Sequence, residues 1–142
     1  KGKSMEKLKR FGVSIEEGLL EKFDQYLKHS SYRNRSEAIR DLLRKELVEA
    51  QWLKSDEVVA GAIIMVYDHH QKELMDNLIH IQHHHQDIII SSQHIHMDQR
   101  MCMEIIVVKG KMGKVYQLES KLKAVKGVKH ASLAKSTLGK GM

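Results

Sequence analysis

From Val58 onward the hydrophobic pattern switches between two periods in a fixed order, and that order narrows the fold more than any other property of the chain. Val58–Tyr67 is a run of strand-forming apolar residues, and Gln71–His85 then places Leu74, Leu78 and Ile81 on one helical stripe. Asp87–Met97 and Met101–Lys109 read as two strands joined by a tight turn at Asp98, Gln99 and Arg100. Met112–Lys126 sets Val115, Leu118, Leu122 and Val125 at helical spacing, Gly127 stops it, and Val128–Ser136 is a last strand. Strand, helix, strand, strand, helix, strand is the split-βαβ, ferredoxin-like order, so the class is α+β.

The first fifty residues have a different character. Arg10 to Ile15 alternates with period two, Phe11, Val13 and Ile15 on one face and Arg10, Gly12 and Ser14 on the other. So short a strand is not stable alone. Glu16 to Lys28 reads as a helix with Leu19, Leu20, Phe23 and Leu27 along one stripe. After a polar turn, Asn34 with Glu37 three residues later resembles a capping box that starts a second helix, carrying Ala38, Ile39, Leu42, Leu43 and Leu47. One strand and two helices cannot enclose a core, so two copies are expected to pair. Their antiparallel strands would make a ribbon exposing Arg10, Gly12 and Ser14, a shape that fits the major groove of DNA. A dimerisation arm that touches no DNA is the alternative. The expected boundaries are 1–50 for this domain, 51–57 for a linker and 58–142 for the second domain.

The charge distribution agrees with this division. Residues 1–50 carry a net +3, residues 51–108 a net −5 and residues 109–142 a net +8. A short basic arm at one end is a common footprint of phosphate binding. The longest apolar run, Val58 to Tyr67, is about half what a membrane-spanning helix requires, and the first ten residues are basic and polar, so neither a membrane span nor an export segment is expected. The single cysteine excludes an internal disulfide and fits a reducing cytoplasm.

Between those basic ends lies Gln82–Cys102, QHHHQDIIISSQHIHMDQRMC. On a strand His94 and His96 point to one face, and Cys102 can return beside them on the next strand. Imidazoles with a thiolate form a donor set of borderline softness, suited to Ni(II), Cu(II) or Zn(II). His69, His70, His80 and His84 are each expected on the surface or in the core rather than as ligands.

RFGVSIEEGLLEKFD and YRNRSEAIRDLLRKEL resemble ribbon-helix-helix repressors. Followed by QHHHQD and HIHMDQRMCMEIIVVKG, they make the chain similar, from about Lys9 to its C-terminal region, to the nickel-responsive transcriptional repressors of the NikR family. The resemblance implies an ACT-like domain that assembles a homotetramer, a dimer of dimers, flanked by two ribbon-helix-helix dimers on double-stranded operator DNA. It implies Ni(II), one per subunit, held by His94, His96 and Cys102 of one subunit and His83 of its neighbour. Thiolate and neutral imidazoles are required, so binding should weaken at low pH. Glu104 falls on the strand face of Cys102 and could orient a ligating imidazole. Phosphate contacts are expected from Lys3, Lys7, Lys9, Arg33 and the helix start at Asn34 to Ser36, and base reading from Arg10 and Ser14, with Gly12 offering no side chain. Glu37 and Asp41, four apart, could hold a second, hard cation. Gln86 stands where the family sometimes has a fourth histidine. The rivals are a regulator of Co, Cu or Zn and a metal storage or delivery protein. An enzyme is not expected, because four protein ligands leave no position for substrate and no acid–base pair accompanies them. No small-molecule substrate is implied.

Overall fold

The computed structural model describes residues 6–54 and 56–142. The chain forms two compact units that divide after Leu42. Its elements are α1 (Glu17–Lys28), α2 (Arg35–Trp52), β1 (Val58–Asp68), α3 (Lys72–His83), β2 (Ile89–His96), β3 (Met101–Lys111), α4 (Met112–Lys123) and β4 (Val128–Lys135). No helix among the described residues is long and apolar enough to cross a membrane.

In the first unit, residues 6–16 carry no regular secondary structure, so the strand expected at Arg10 to Ile15 is not formed in a single chain. A strand needs a hydrogen-bonding neighbour, and one copy supplies none. Phe11 and Val13 are 72% and 69% exposed, and α1 buries no residue, although its apolar stripe falls where the periodicity puts it. The second helix starts as its sequence requires: the Asn34 side chain accepts the Glu37 amide at 2.9 Å. Glu37 reaches back to the Arg33 amide at 3.3 Å, one residue before the usual capping-box partner. Arg35 forks onto Asp24 of α1 through bonds of 2.8 and 2.7 Å, and this holds the Asp24 carboxyl below its usual range.

The second unit is a four-stranded antiparallel sheet in the order β2-β3-β1-β4. That is the arrangement the order strand, helix, strand, strand, helix, strand implies. β1 is central and alternates buried and half-buried residues along its length. Val59, Ile63, Met65 and Tyr67 join Ile106 and Val108 of β3, Leu74 and Leu78 of α3, and Val115, Leu118 and Leu122 of α4 in one core, so both helices cover the same face. The opposite face, with Ile64, Val66, Met103, Ile105 and Val107, is only partly covered. Trp52, expected in a polar linker, is instead the last residue of α2 and lies in this core at 1% exposure. Its indole N–H donates to the Ser136 carbonyl at 2.9 Å. Gly61 permits that approach, since a Cβ there would sit 2.7 Å from the Ala134 carbonyl oxygen and 3.2 Å from the indole. Ser55 of the expected linker lies outside the described residues.

Candidate metal centre

β2 is an edge strand, and the hairpin that joins it to β3 is closed by Asp98, whose carboxylate accepts the amides of Arg100 at 2.8 Å and Met101 at 2.7 Å. The resulting register sets His96 opposite Cys102 and His94 opposite Glu104. Directly paired residues share a sheet face, as do residues two apart, so these four lie on one side. β1 adds Tyr67 opposite Cys102. This is the helix-covered face: Cys102 and Glu104 are each 1% exposed, while the two histidines, on the edge, remain exposed.

A carboxylate buried this deeply must be supplied with donors. Glu104 has three: the Tyr67 hydroxyl at 2.7 Å on one oxygen, and the Gln82 side-chain amide and the Ser92 hydroxyl, each at 3.0 Å, on the other. The His94 ring lies between this carboxylate and the tyrosine, with Nε2 at 3.4 Å from Glu104 and Nδ1 at 3.2 Å from the Tyr67 oxygen. Burial, and then the bond to Glu104, push the Tyr67 hydroxyl far above its ordinary pKa, so it stays protonated and donates. Whichever nitrogen of His94 a metal took, the other would keep an oxygen partner that fixes the ring. The structure thus places Glu104 beside His94. It also adds Tyr67, Ser92 and Gln82, which the sequence reading missed. Ser92 was within reach, two residues before His94 on the same strand face.

His96 stacks edge-on against His69 with ring centroids 4.7 Å apart, and the Cys102 thiol lies 3.7 Å from the Met103 carbonyl. His83, the last residue of α3, is exposed, with Nδ1 at 3.3 Å from the Gln86 amide. Among the described residues, no three His, Cys, Asp or Glu side chains converge within one chain closely enough to hold an ion. The donor chemistry fits Ni(II) all the same. Two imidazoles and the one thiol occupy adjacent register positions on a single face, and a site sharing a ligand between chains would be incomplete in one copy.

Next to this centre, Asp68 at the end of β1 accepts the His70 amide at 2.9 Å and the Arg100 guanidinium at 2.7 Å. The His70 amide first, and Arg100 second, hold its carboxyl below the usual range. A depressed folded-state pKa means stability that is complete above the ordinary carboxylate range and is lost as pH falls through it. Urea unfolding of Asp68→Asn should therefore show a flatter loss of stability below about pH 5 than wild type, where carboxylates begin to titrate. Parallel acid limbs would show that Asp68 makes no such contribution.

In the first unit, Lys7, Lys9, Arg10, Gly12, Ser14, Arg33, Asn34 and Ser36 are all exposed, and Lys3 lies outside the described residues. Asp41 accepts the Tyr32 hydroxyl, which that bond pushes up to about 12, while Glu37 is engaged by the Arg33 amide. Both carboxylates proposed for a second cation thus have protein donors.

The family described as NikR C terminal nickel binding domain matches residues 60–136. A nickel-responsive regulator of Syntrophus aciditrophicus is 50% identical over 135 residues, covering 95% of this chain and 98% of that protein. One from Thermococcus onnurineus is 46% identical over 134 residues, covering 94% and 97%. Among solved structures, the uncharacterized protein TM1266 from Thermotoga maritima matches 56% of this chain and 98% of its own with a TM-score of 0.51 at 15% identity, a likeness of fold alone. The chain belongs to the NikR family of nickel-responsive regulators, which are not enzymes.

Proposed function

We propose that this protein is a nickel-dependent repressor that binds operator DNA through β-ribbons formed by two copies of residues 10–15. Ni(II) would be held, one per subunit, by His94, His96 and Cys102 of one chain and by His83 of another. The observation that carries this reading is the register that sets His96 opposite Cys102 and His94 opposite Glu104, two imidazoles and the one thiol on a single sheet face. Within one chain, a hydrogen bond from Gln82 to Glu104 ties the end of α3, where His83 stands next in sequence, to that same face. Ni(II), when bound, would supply a fixed cross-link between two chains at that helix end. Glu104, Tyr67 and Ser92 would orient His94, and Gln82 would hold the helix end that carries His83. A ligand drawn from a second chain makes metal affinity and subunit arrangement depend on one another, which is the coupling a metal-responsive DNA binder needs.

The exposed Phe11, Val13 and Ile15, and the unburied stripe of α1, support pairing of two copies in the first unit. The half-covered apolar face of the sheet supports further association, to a dimer of dimers. On DNA, Lys7, Lys9 and Arg33 would contact phosphates, with the amides of Arg35 and Ser36, since those of Arg33 and Glu37 are already taken. Arg10 can make a bidentate contact to guanine, so Arg10→Ala should cost about 1–3 kcal/mol in specific binding; unaltered sequence preference would remove that role. One buried, unpaired cysteine fits action in the reducing cytoplasm.

Mixing His83→Ala chains with Cys102→Ser chains tests the shared site. Neither variant alone should show the near-ultraviolet thiolate-to-nickel band. A mixed oligomer, made by unfolding and refolding the two together, should regain part of it. No regain would mean that all four ligands lie in one chain or that the set is wrong.

Replacing Glu104 by Gln should weaken nickel binding by about 10- to 100-fold, the usual cost of losing a group that orients a ligand. Competition against a chelator measures this, and unchanged affinity would reduce Glu104 to a structural acid.

A further inference from the structure

Away from the strand histidines, α3 carries a second arrangement that suits a metal. His80 lies in the last turn of α3 and His84 caps that helix in a helical conformation four residues on, so the two share one side, and both are exposed. Their ring centroids are 4.3 Å apart, with the planes at 50°. Two imidazoles bound side by side at about 2.0–2.1 Å on one ion would have centroids roughly 4.5 Å apart, close to this spacing. The tautomer of a neutral His84 ring is also set by its neighbour. The His84 Nδ1 lies 2.9 Å from the His80 carbonyl oxygen, which can only accept, so Nδ1 bears the hydrogen. Nε2 is left with a free lone pair, and a backbone carbonyl on the other nitrogen is the usual support of a ligating histidine.

We infer that His80 and His84 form a second, weaker site for a borderline divalent ion such as Ni(II), Cu(II) or Zn(II), with water completing the coordination. It shares no ligand with the site proposed above. Two neutral imidazoles without a thiolate give an affinity below that of the Cys102 set. Linking two donors multiplies affinity by about 10²–10⁴, so loss of either histidine should weaken the site by roughly 100-fold or more.

The test is equilibrium dialysis of the full chain against Ni(II) alone, with the thiolate-to-nickel band followed on the same samples. Wild type should take up a further equivalent per chain after the band saturates. His80→Ala/His84→Ala should lose that equivalent and keep the band, which also reports that the variant is folded. His84→Gln, which keeps a polar side chain on the helix, should lose it too. If the double variant retains the extra equivalent, or wild type binds none, the site does not exist. Extra nickel that depends on His80 and His84 in a protein showing no band would uphold this site and reject the Cys102 one.

Discussion

Nickel added to Cys102→Ser should produce no thiolate-to-metal band in the near-ultraviolet, whereas the wild-type protein should saturate such a band at one ion per chain. Cys102 is the only thiol in the sequence, so no other residue can give the signal. A serine hydroxyl is a harder donor than a thiolate and does not ionise near neutral pH, leaving three imidazoles to compete with water. Affinity should fall by on the order of 100-fold or more, beyond the range for groups that only orient a ligand. Because Cys102 is 1% exposed, the new hydroxyl must be accommodated inside, at a cost of about 1–3 kcal/mol if it finds no partner. Unfolding curves on the same samples separate that cost from the loss of the ligand. A band that survives in a folded serine variant would take Cys102 out of the site, and with it the reason for placing nickel on this strand face.

Trp52→Ala should lower stability by about 3–5 kcal/mol, the largest effect expected of any single side chain outside the metal centre. The ring is enclosed by the core, meets Tyr116 edge-on at a centroid distance of 5.9 Å, and satisfies the Ser136 carbonyl. Truncation leaves a cavity beside Gly61, whose missing side chain cannot fill it, and removes the donor to Ser136. Urea midpoints give the answer. A loss under about 1 kcal/mol would mean that the indole rests on the surface of the fold, not in its core.

Trp52 also shows where reading the sequence fell short. It stands before Leu53, Lys54, Ser55, Asp56 and Glu57, and that polar surrounding concealed a core residue. Its partner Ser136 is 84 positions away, a distance over which hydrophobic period carries no information. The sheet was legible because β1 alternates cleanly and because Leu74, Leu78, Val115, Leu118 and Leu122 repeat at helical spacing. Element ends were less so. The helix expected to reach His85 stops at His83: the His84 amide still reaches the His80 carbonyl, but the His85 amide turns to Gln82, and the His85 Nδ1 takes the Ile81 carbonyl that a continuing helix would have engaged. Within the candidate site, the His94 and His96 face followed from strand period alone. Tyr67 could not be found that way, because its place opposite Cys102 depends on pairing between β1 and β3, which are not consecutive strands. The Arg10 to Ile15 strand was legible as a pattern only: its hydrogen-bonding partner would be another copy of itself.

The measurement that bears most directly on the account is retention of duplex DNA from a randomised pool by the full-length protein, with Ni(II) and with a chelator, for wild type and His83→Ala. A nickel-dependent repressor with a shared ligand predicts that wild type with nickel enriches a two-fold symmetric sequence, that chelator abolishes the enrichment, and that His83→Ala shows none in either condition. The same sequences retained with and without nickel, or an equal response from His83→Ala, would contradict the account.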